Sequence, residues 1–180
     1  MSNPGNGIDK LLRSAKKDGQ RAHLMILLSY EGALRVSELI HIKVCDFNFD
    51  SGSLTVIPIR RRNKSNVECK VSSEVAEAIR DYVAALGIDT TSFLFPGRTK
   101  KSCMLVSFRC PGGHISKREV QLIFDRVAGA AGIKEKGRGI QTLKHARLTD
   151  VAKETNDPDV IQQIGRYGSS AMGARYIVDG

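Results

Sequence analysis

A break between two apolar helices constrains this chain more than any other feature. Residues 32–39 read Gly-Ala-Leu-Arg-Val-Ser-Glu-Leu. Before them Leu24, Leu27 and Leu28 recur at helical spacing, and after them Val36, Leu39 and Ile40 share one face, so both helices read as core. Arg35 stands at the break, where helix N-termini and cations gather around a phosphate. The competing account is a solvated arginine with Glu38 three residues on.

Periodicity places the remaining elements. Helices are expected over 7–17, 20–31, 73–86 and 116–131, the last two with Val75, Ile79, Val83 and Leu86, and Val120, Ile123, Phe124 and Val127, on their apolar faces. Residues 54–59 and 67–71 read as a β-hairpin whose turn carries Arg60, Arg61, Arg62 and Lys64. Asn156-Asp157-Pro158 ends one helix and caps the next. Residues 97–114, rich in Gly, Lys and Arg, read as a loop or a second hairpin. The 180 residues show no internal repeat and suffice for one domain with a real core.

Charge narrows the partner. Twenty-eight Lys and Arg against 19 Asp and Glu leave a formal +9, which suits an anionic polymer, although membrane surfaces and acidic proteins also fit. The excess is concentrated: residues 96–118 carry six basic side chains and no acid, and residues 60–70 carry five against Glu68 alone. Solvated loops are the usual fate of such runs; contact with DNA phosphates is the alternative. No apolar run reaches the ~18 residues of a membrane span, and the N-terminus lacks the apolar stretch of a signal peptide, so a cytoplasmic, nucleoid-associated protein is expected. Cys45, Cys69, Cys103 and Cys110 show no Cys-x-x-Cys spacing and are expected to be free thiols. Cys103, Cys110 and His114 match no zinc-site spacing, and neither metal nor cofactor is expected.

The motifs in order resemble those of the tyrosine recombinases, the phage integrase family. Residues 32–39 look like that family's Gly-Leu-Arg-x-Ser-Glu-Leu box, with Ala33 where a glycine normally stands. Phe93-Leu94-Phe95-Pro96 resembles its Leu-Phe-Pro, and His114-Ile115-Ser116 its x-hydrophobic-Ser. Leu143-Lys144-His145 falls where the family has Leu-Arg-His, Gly165-Arg166 where it has Gly-His, and Tyr176 follows ten residues later, close to the nucleophile spacing. The match covers about residues 7–177. It implies an α+β fold, mostly helical with a small antiparallel sheet, forming one catalytic-type domain over 1–180. The family's N-terminal DNA clamp is missing from the sequence, and short members made of the catalytic domain alone show that this can be natural.

The resemblance also implies a chemistry: a tyrosine hydroxyl attacks a DNA phosphodiester and forms a 3′-phosphotyrosyl link. A phenol with pKa about 10 is a poor nucleophile at neutral pH, so the site must stabilise charge on the transition state. Carried over position by position, Tyr176 is the nucleophile and Arg35 the first phosphate-gripping arginine. Lys64 is the only lysine in the hairpin turn, although alignment by the hairpin's end favours Arg61 or Arg62. Three positions depart from the pattern. Gln141 replaces a histidine and cannot shuttle a proton. Lys144 replaces the second arginine and loses its two-point grip. Arg166 replaces a third assisting residue, normally His or Trp. Arg147, three residues after Lys144, is an alternative source of the missing guanidinium. His145 matches a position that is usually structural.

Phosphate contacts are expected from Arg60, Arg61 and Arg62 in the hairpin turn, from Lys100, Lys101, Arg109, Lys117 and Arg118 in the second basic stretch, and from Arg147. Arg35, Lys144 and Arg166 are expected to face one basic concavity. Double-stranded DNA is the expected partner, with a monomer in free solution and self-assembly on DNA. Two functions remain open: a divergent recombinase cutting through Tyr176 with weak or conditional activity, or an inactive DNA-binding regulator or architectural protein on the same scaffold.

Overall fold

The computed structural model describes residues 4–58, 66–97, 113–134 and 137–178. Helix α1 (Pro4–Asp18) and helix α2 (Gln20–Glu31) form a hairpin about Gly19, whose φ of 131° lies in the region that favours glycine. Helix α2 is buried almost all round: Leu24, Met25, Ile26, Leu27 and Leu28 are each at most 2% exposed. Such a helix must sit at the centre, and it packs against α1, α4, α5 and α6.

After the break comes α3 (Val36–Leu39), a single turn, and then a three-stranded antiparallel sheet in the order β1-β2-β3. Its strands are β1 (Phe47–Asn48), β2 (Ser53–Val56) and β3 (Val67–Lys70), with Leu54 opposite Cys69 and Val56 opposite Val67. The expected hairpin is therefore present. Strand β1, paired through Phe47 and Leu54, was not legible in the sequence because two residues give no periodicity.

Local chemistry sets the helix boundaries. The Ser72 hydroxyl accepts from the Val75 N–H to open α4 (Ser73–Leu86), and Gly87 ends it in the left-handed conformation. Ser116 caps α5 (Lys117–Ala130) in the same way. Helix α6 (Gln141–Thr155) ends at left-handed Asn156; Asp157 then caps α7 (Pro158–Gly165), with proline in its first turn. Helix α8 (Ala171–Val178) completes the described chain. The α+β class, mostly helical with a small antiparallel sheet, is as expected.

Two apolar clusters organise these elements. The larger joins α1, α2, the sheet, α4 and α5. A smaller one gathers Ala33, Leu148, Val151, Ala152, Ile161 and Tyr167, with Tyr176 and Ile177 packed on it. It clamps α7 and α8 against α6 and so fixes where Tyr176 stands. Helices α7 and α8 approach closely enough that a Cβ on Gly173 would collide with the Pro158 carbonyl oxygen.

Candidate active site

The break at 32–35 is held open by its backbone. Ala33 has φ 44°, a left-handed conformation in which glycine is at ease and alanine is strained. This turn presents the Gly32 and Ala33 carbonyls to two cations from distant helices. Lys144 Nζ donates to Ala33 O and to Gly165 O, each at 2.8 Å. The Arg166 guanidinium donates to Gly32 O (3.0 Å) and to Ala33 O.

Glu38 ties the same knot from α3. Its carboxylate accepts from the Arg35 backbone N–H (2.8 Å), from Arg35 Nη1 (3.0 Å) and from Arg166 Nη2 (3.0 Å). Both Arg166 and Glu38 side chains have no exposed surface. Burial disfavours the Glu38 carboxylate, but Arg166, the Arg35 backbone N–H and Lys144 together hold its carboxyl below the ordinary value. Lys144 feels the opposite balance. Burial, then the charges of Arg166 and Arg35, pull its pKa down to about 7.

In front of this knot lies a cleft of about 400 Å³. Arg35, Gln141, Lys144 and His145 line one wall; Tyr167, Met172, Arg175 and Tyr176 line the other. Gln141 and His145 are four apart on α6 and share a face. Gln141 Oε1 accepts from the Val36 N–H at 3.3 Å, which joins α6 to the start of α3. The Arg35 guanidinium lies 5.7 Å from the Tyr167 ring centre. Tyr176 Oη is 2.7 Å from His145 Nδ1 and 2.8 Å from Tyr167 Oη. Burial, then the Tyr167 hydrogen bond, raises the Tyr176 pKa, with Arg35 pulling the other way. A cationic cleft with no carboxylate in its lining, holding one hydroxyl between two hydrogen-bonding side chains, is suited to an anion attacked by oxygen.

Residues 4–179 match the model of the phage integrase family. The chain belongs to that family. A tyrosine recombinase of Pseudothermotoga lettingae is 33% identical over 170 residues, covering 94% of this chain and 53% of that protein. Tyrosine recombinase XerA of Pyrococcus furiosus is 28% identical over 164 residues, covering 90% and 51%. The chain spans about half the length of the curated relatives it matches. Among solved structures, a XerA recombinase aligns with a TM-score of 0.78 at 20% identity, over 98% of this chain and 57% of that one. At that identity the likeness concerns the fold.

Within this phage integrase domain, Arg35, Gln141, Lys144 and Tyr176 line one cleft. Arg166 does not line it. The residue occupies the left-handed position after α7, with φ 53°, and its side chain turns inward behind Lys144, also meeting Cys69 Sγ at 3.1 Å. The expected concavity is thus lined by the partly exposed Arg35 and by Lys144, which is 3% exposed, with Arg166 bracing them from inside. Arg147 lies in a separate groove with Glu31, Cys69, Lys70 and Gln163, its Nη1 3.9 Å from Glu154. It therefore does not supply a guanidinium to the cleft. Lys117 and Arg118 are exposed on the first turn of α5. Lys64, Arg60, Arg61, Arg62, Lys100, Lys101 and Arg109, with Cys103 and Cys110, lie outside the described residues.

Four cleft residues carry no site role in the sequence analysis: His145, Tyr167, Met172 and Arg175, the last two marked only by their nearness to Tyr176. Tyr167 follows the Gly-Arg pair directly and is aromatic beside a helix end, a weak signal. His145 was read as structural; its spacing from Gln141 on one helical face was the available clue. Among the described residues no helix is long and apolar enough to cross a membrane.

Proposed function

We propose that residues 1–180 act as a catalytic-type unit that binds duplex DNA and cleaves and rejoins a strand through a 3′-phosphotyrosyl bond at Tyr176. The observation that carries this reading is the placement of the Tyr176 hydroxyl, from its own α8, in the cleft lined by Arg35 and Lys144. Arg35 grips the nonbridging oxygens, with one edge of its guanidinium fixed by Glu38. Lys144 supplies a second, weaker positive centre, and Arg175 a third. Arg166 contributes through Glu38 and the 32–33 turn rather than by touching phosphate. Arg60, Arg61, Arg62, Lys100, Lys101, Arg109, Lys117, Arg118 and Arg147 provide sequence-independent phosphate contacts, and Lys64 donates the proton to the leaving 5′-oxygen.

One observation favours the inactive DNA-binding alternative. Lys144 stands where the family's second arginine does, and its amine is bonded inward to two carbonyls. The loss of a bidentate contact made in the transition state costs about 3 kcal/mol, on the order of a hundredfold in rate. A duplex with a nick just beyond the scissile phosphate separates the readings, since the short released strand diffuses away and traps the adduct. The recombinase reading expects a covalent adduct on denaturing electrophoresis that Tyr176→Phe abolishes while duplex affinity stays within about twofold. Binding without any adduct makes the inactive module the better account.

A further inference from the structure

The Tyr176 hydroxyl carries one proton and has two polar neighbours at hydrogen-bonding distance, His145 Nδ1 at 2.7 Å and Tyr167 Oη at 2.8 Å. Tyr176 can donate at most one of these bonds, so its oxygen accepts at least one. Attack on phosphorus requires the phenol to give its proton up, so the direction of these two bonds decides the chemistry. A second phenol is a poor acceptor at neutral pH, whereas a neutral imidazole nitrogen accepts a proton in that range. Gln141, one turn earlier on the same face of α6, cannot take a proton and is occupied with the Val36 N–H.

We propose that His145 is the proton acceptor for Tyr176, receiving the phenolic proton on Nδ1 while Tyr167 donates its hydroxyl hydrogen bond to the same oxygen. This rests on the recombinase reading above. His145 is placed for it: the residue is exposed at the cleft wall, and its ring lies nearly parallel to that of Tyr176 at 6.0 Å, with Nδ1 directed at the hydroxyl. Tyr167 is buried against Ala33, Leu148 and Ile161, so its hydroxyl is held by packing rather than by solvent.

The step balances. The O–H electron pair of Tyr176 becomes the new Oη–P bond, and the proton passes to His145 Nδ1. The P–O5′ bond breaks with its electron pair on O5′, which takes a proton from Lys64 or solvent. On rejoining, a DNA 5′-hydroxyl attacks the phosphotyrosine and gives its proton back to the Lys64 amine or to solvent; the Oη–P bond breaks with its electron pair on Oη, and the His145 imidazolium returns its proton to the departing phenolate. The burial that raises the Tyr176 pKa makes such an acceptor necessary. The charged and titratable groups facing the pair are Arg35, Lys144, Arg175 and Tyr167.

The test measures single-turnover adduct formation on the nicked duplex. His145→Ala should slow it about 100-fold or more with duplex affinity within about twofold, and free imidazole should restore part of the rate. His145→Asn, which keeps a hydrogen-bonding group without a titrating one, should be slowed to a similar degree. Difluorotyrosine at position 176, a more acidic phenol, should narrow the gap between His145→Ala and the parent. An adduct forming at the parental rate in His145→Ala, or a full rate in His145→Asn, overturns the assignment and leaves the recombinase reading standing. A slow His145→Ala that neither imidazole nor the fluorinated tyrosine improves also overturns it, leaving His145 a positioning residue. Absence of an adduct in the parent overturns both.

Discussion

Arg35 and Arg166 share one carboxylate, Glu38, and differ in nearly everything else that decides what an arginine does. Arg35 keeps about a fifth of its side chain exposed and lines the cleft. Arg166 has none exposed, and its guanidinium is spent on Glu38 and on the carbonyls of Gly32 and Ala33. One faces the cleft; the other holds the first in position through Glu38. Positive charge near a site is therefore not a count of ligands. Burial and the number of protein acceptors already engaged separate a binding cation from a bracing one.

The largest effect should come from breaking the buried side. Arg166→Met leaves Glu38 with less compensation in the interior, a change that costs about 3–5 kcal/mol and should lower the melting temperature by roughly 10 °C or more. Arg35→Met should cost less than about 1 kcal/mol of stability yet reduce adduct formation on the order of 100-fold at saturating DNA. Equal melting losses in the two variants would erase the distinction.

A second, intermediate effect tests how the far wall is held. A Cβ on Gly165 would meet the Tyr167 ring at 2.5 and 2.7 Å. Gly165→Ala should cost about 1–3 kcal/mol and push the Tyr167 hydroxyl from Tyr176, so adduct formation slows as well. Parental stability together with parental rate would show that the ring yields without consequence.

The buried lysine gives a smaller effect, visible in pH. Lys144 titrates at about 7 in the fold and near about 10.4 when unfolded. Between those values the unfolded chain binds more protons, so its contribution to unfolding free energy rises with pH; below about pH 7 the penalty of the buried charge is fully present. Cys69, pushed up by burial, acts oppositely at the alkaline end of the window. The informative quantity is therefore a difference: denaturant unfolding at pH 7, 8 and 9 should show a less positive slope in Lys144→Met than in the parent. Identical slopes would mean that Lys144 keeps its ordinary titration.

The smallest effect is expected at Arg147, whose contacts are a 3.9 Å approach to Glu154 and the Tyr30 ring. Arg147→Ala should change stability by less than about 1 kcal/mol and lower affinity modestly, leaving the adduct rate unchanged at saturating DNA. A large drop in that rate would return Arg147 to the cleft.

By itself the sequence determined the helices, the central hairpin, the break at Arg35 and the candidacy of Tyr176. Each of these rests on local patterning: apolar spacing along a helix, serine caps at 72 and 116, and a chain of motifs in order. Ala33 stood out only as a departure from the family's glycine; the strained turn there, with its φ of 44° and the two cations that its carbonyl receives, was not legible. The direction of the side chains at the site was decided only in three dimensions. Arg166 is read along the chain as a cation ten residues before Tyr176, but the left-handed backbone that ends α7 turns it into the interior and leaves its neighbour Tyr167 in the cleft. His145 acquires a partner only because α8 folds back on α6 through the small cluster around Leu148 and Ile161. Residue type and spacing set which groups are available, but which of them share an oxygen depends on helix packing between segments 31 residues apart.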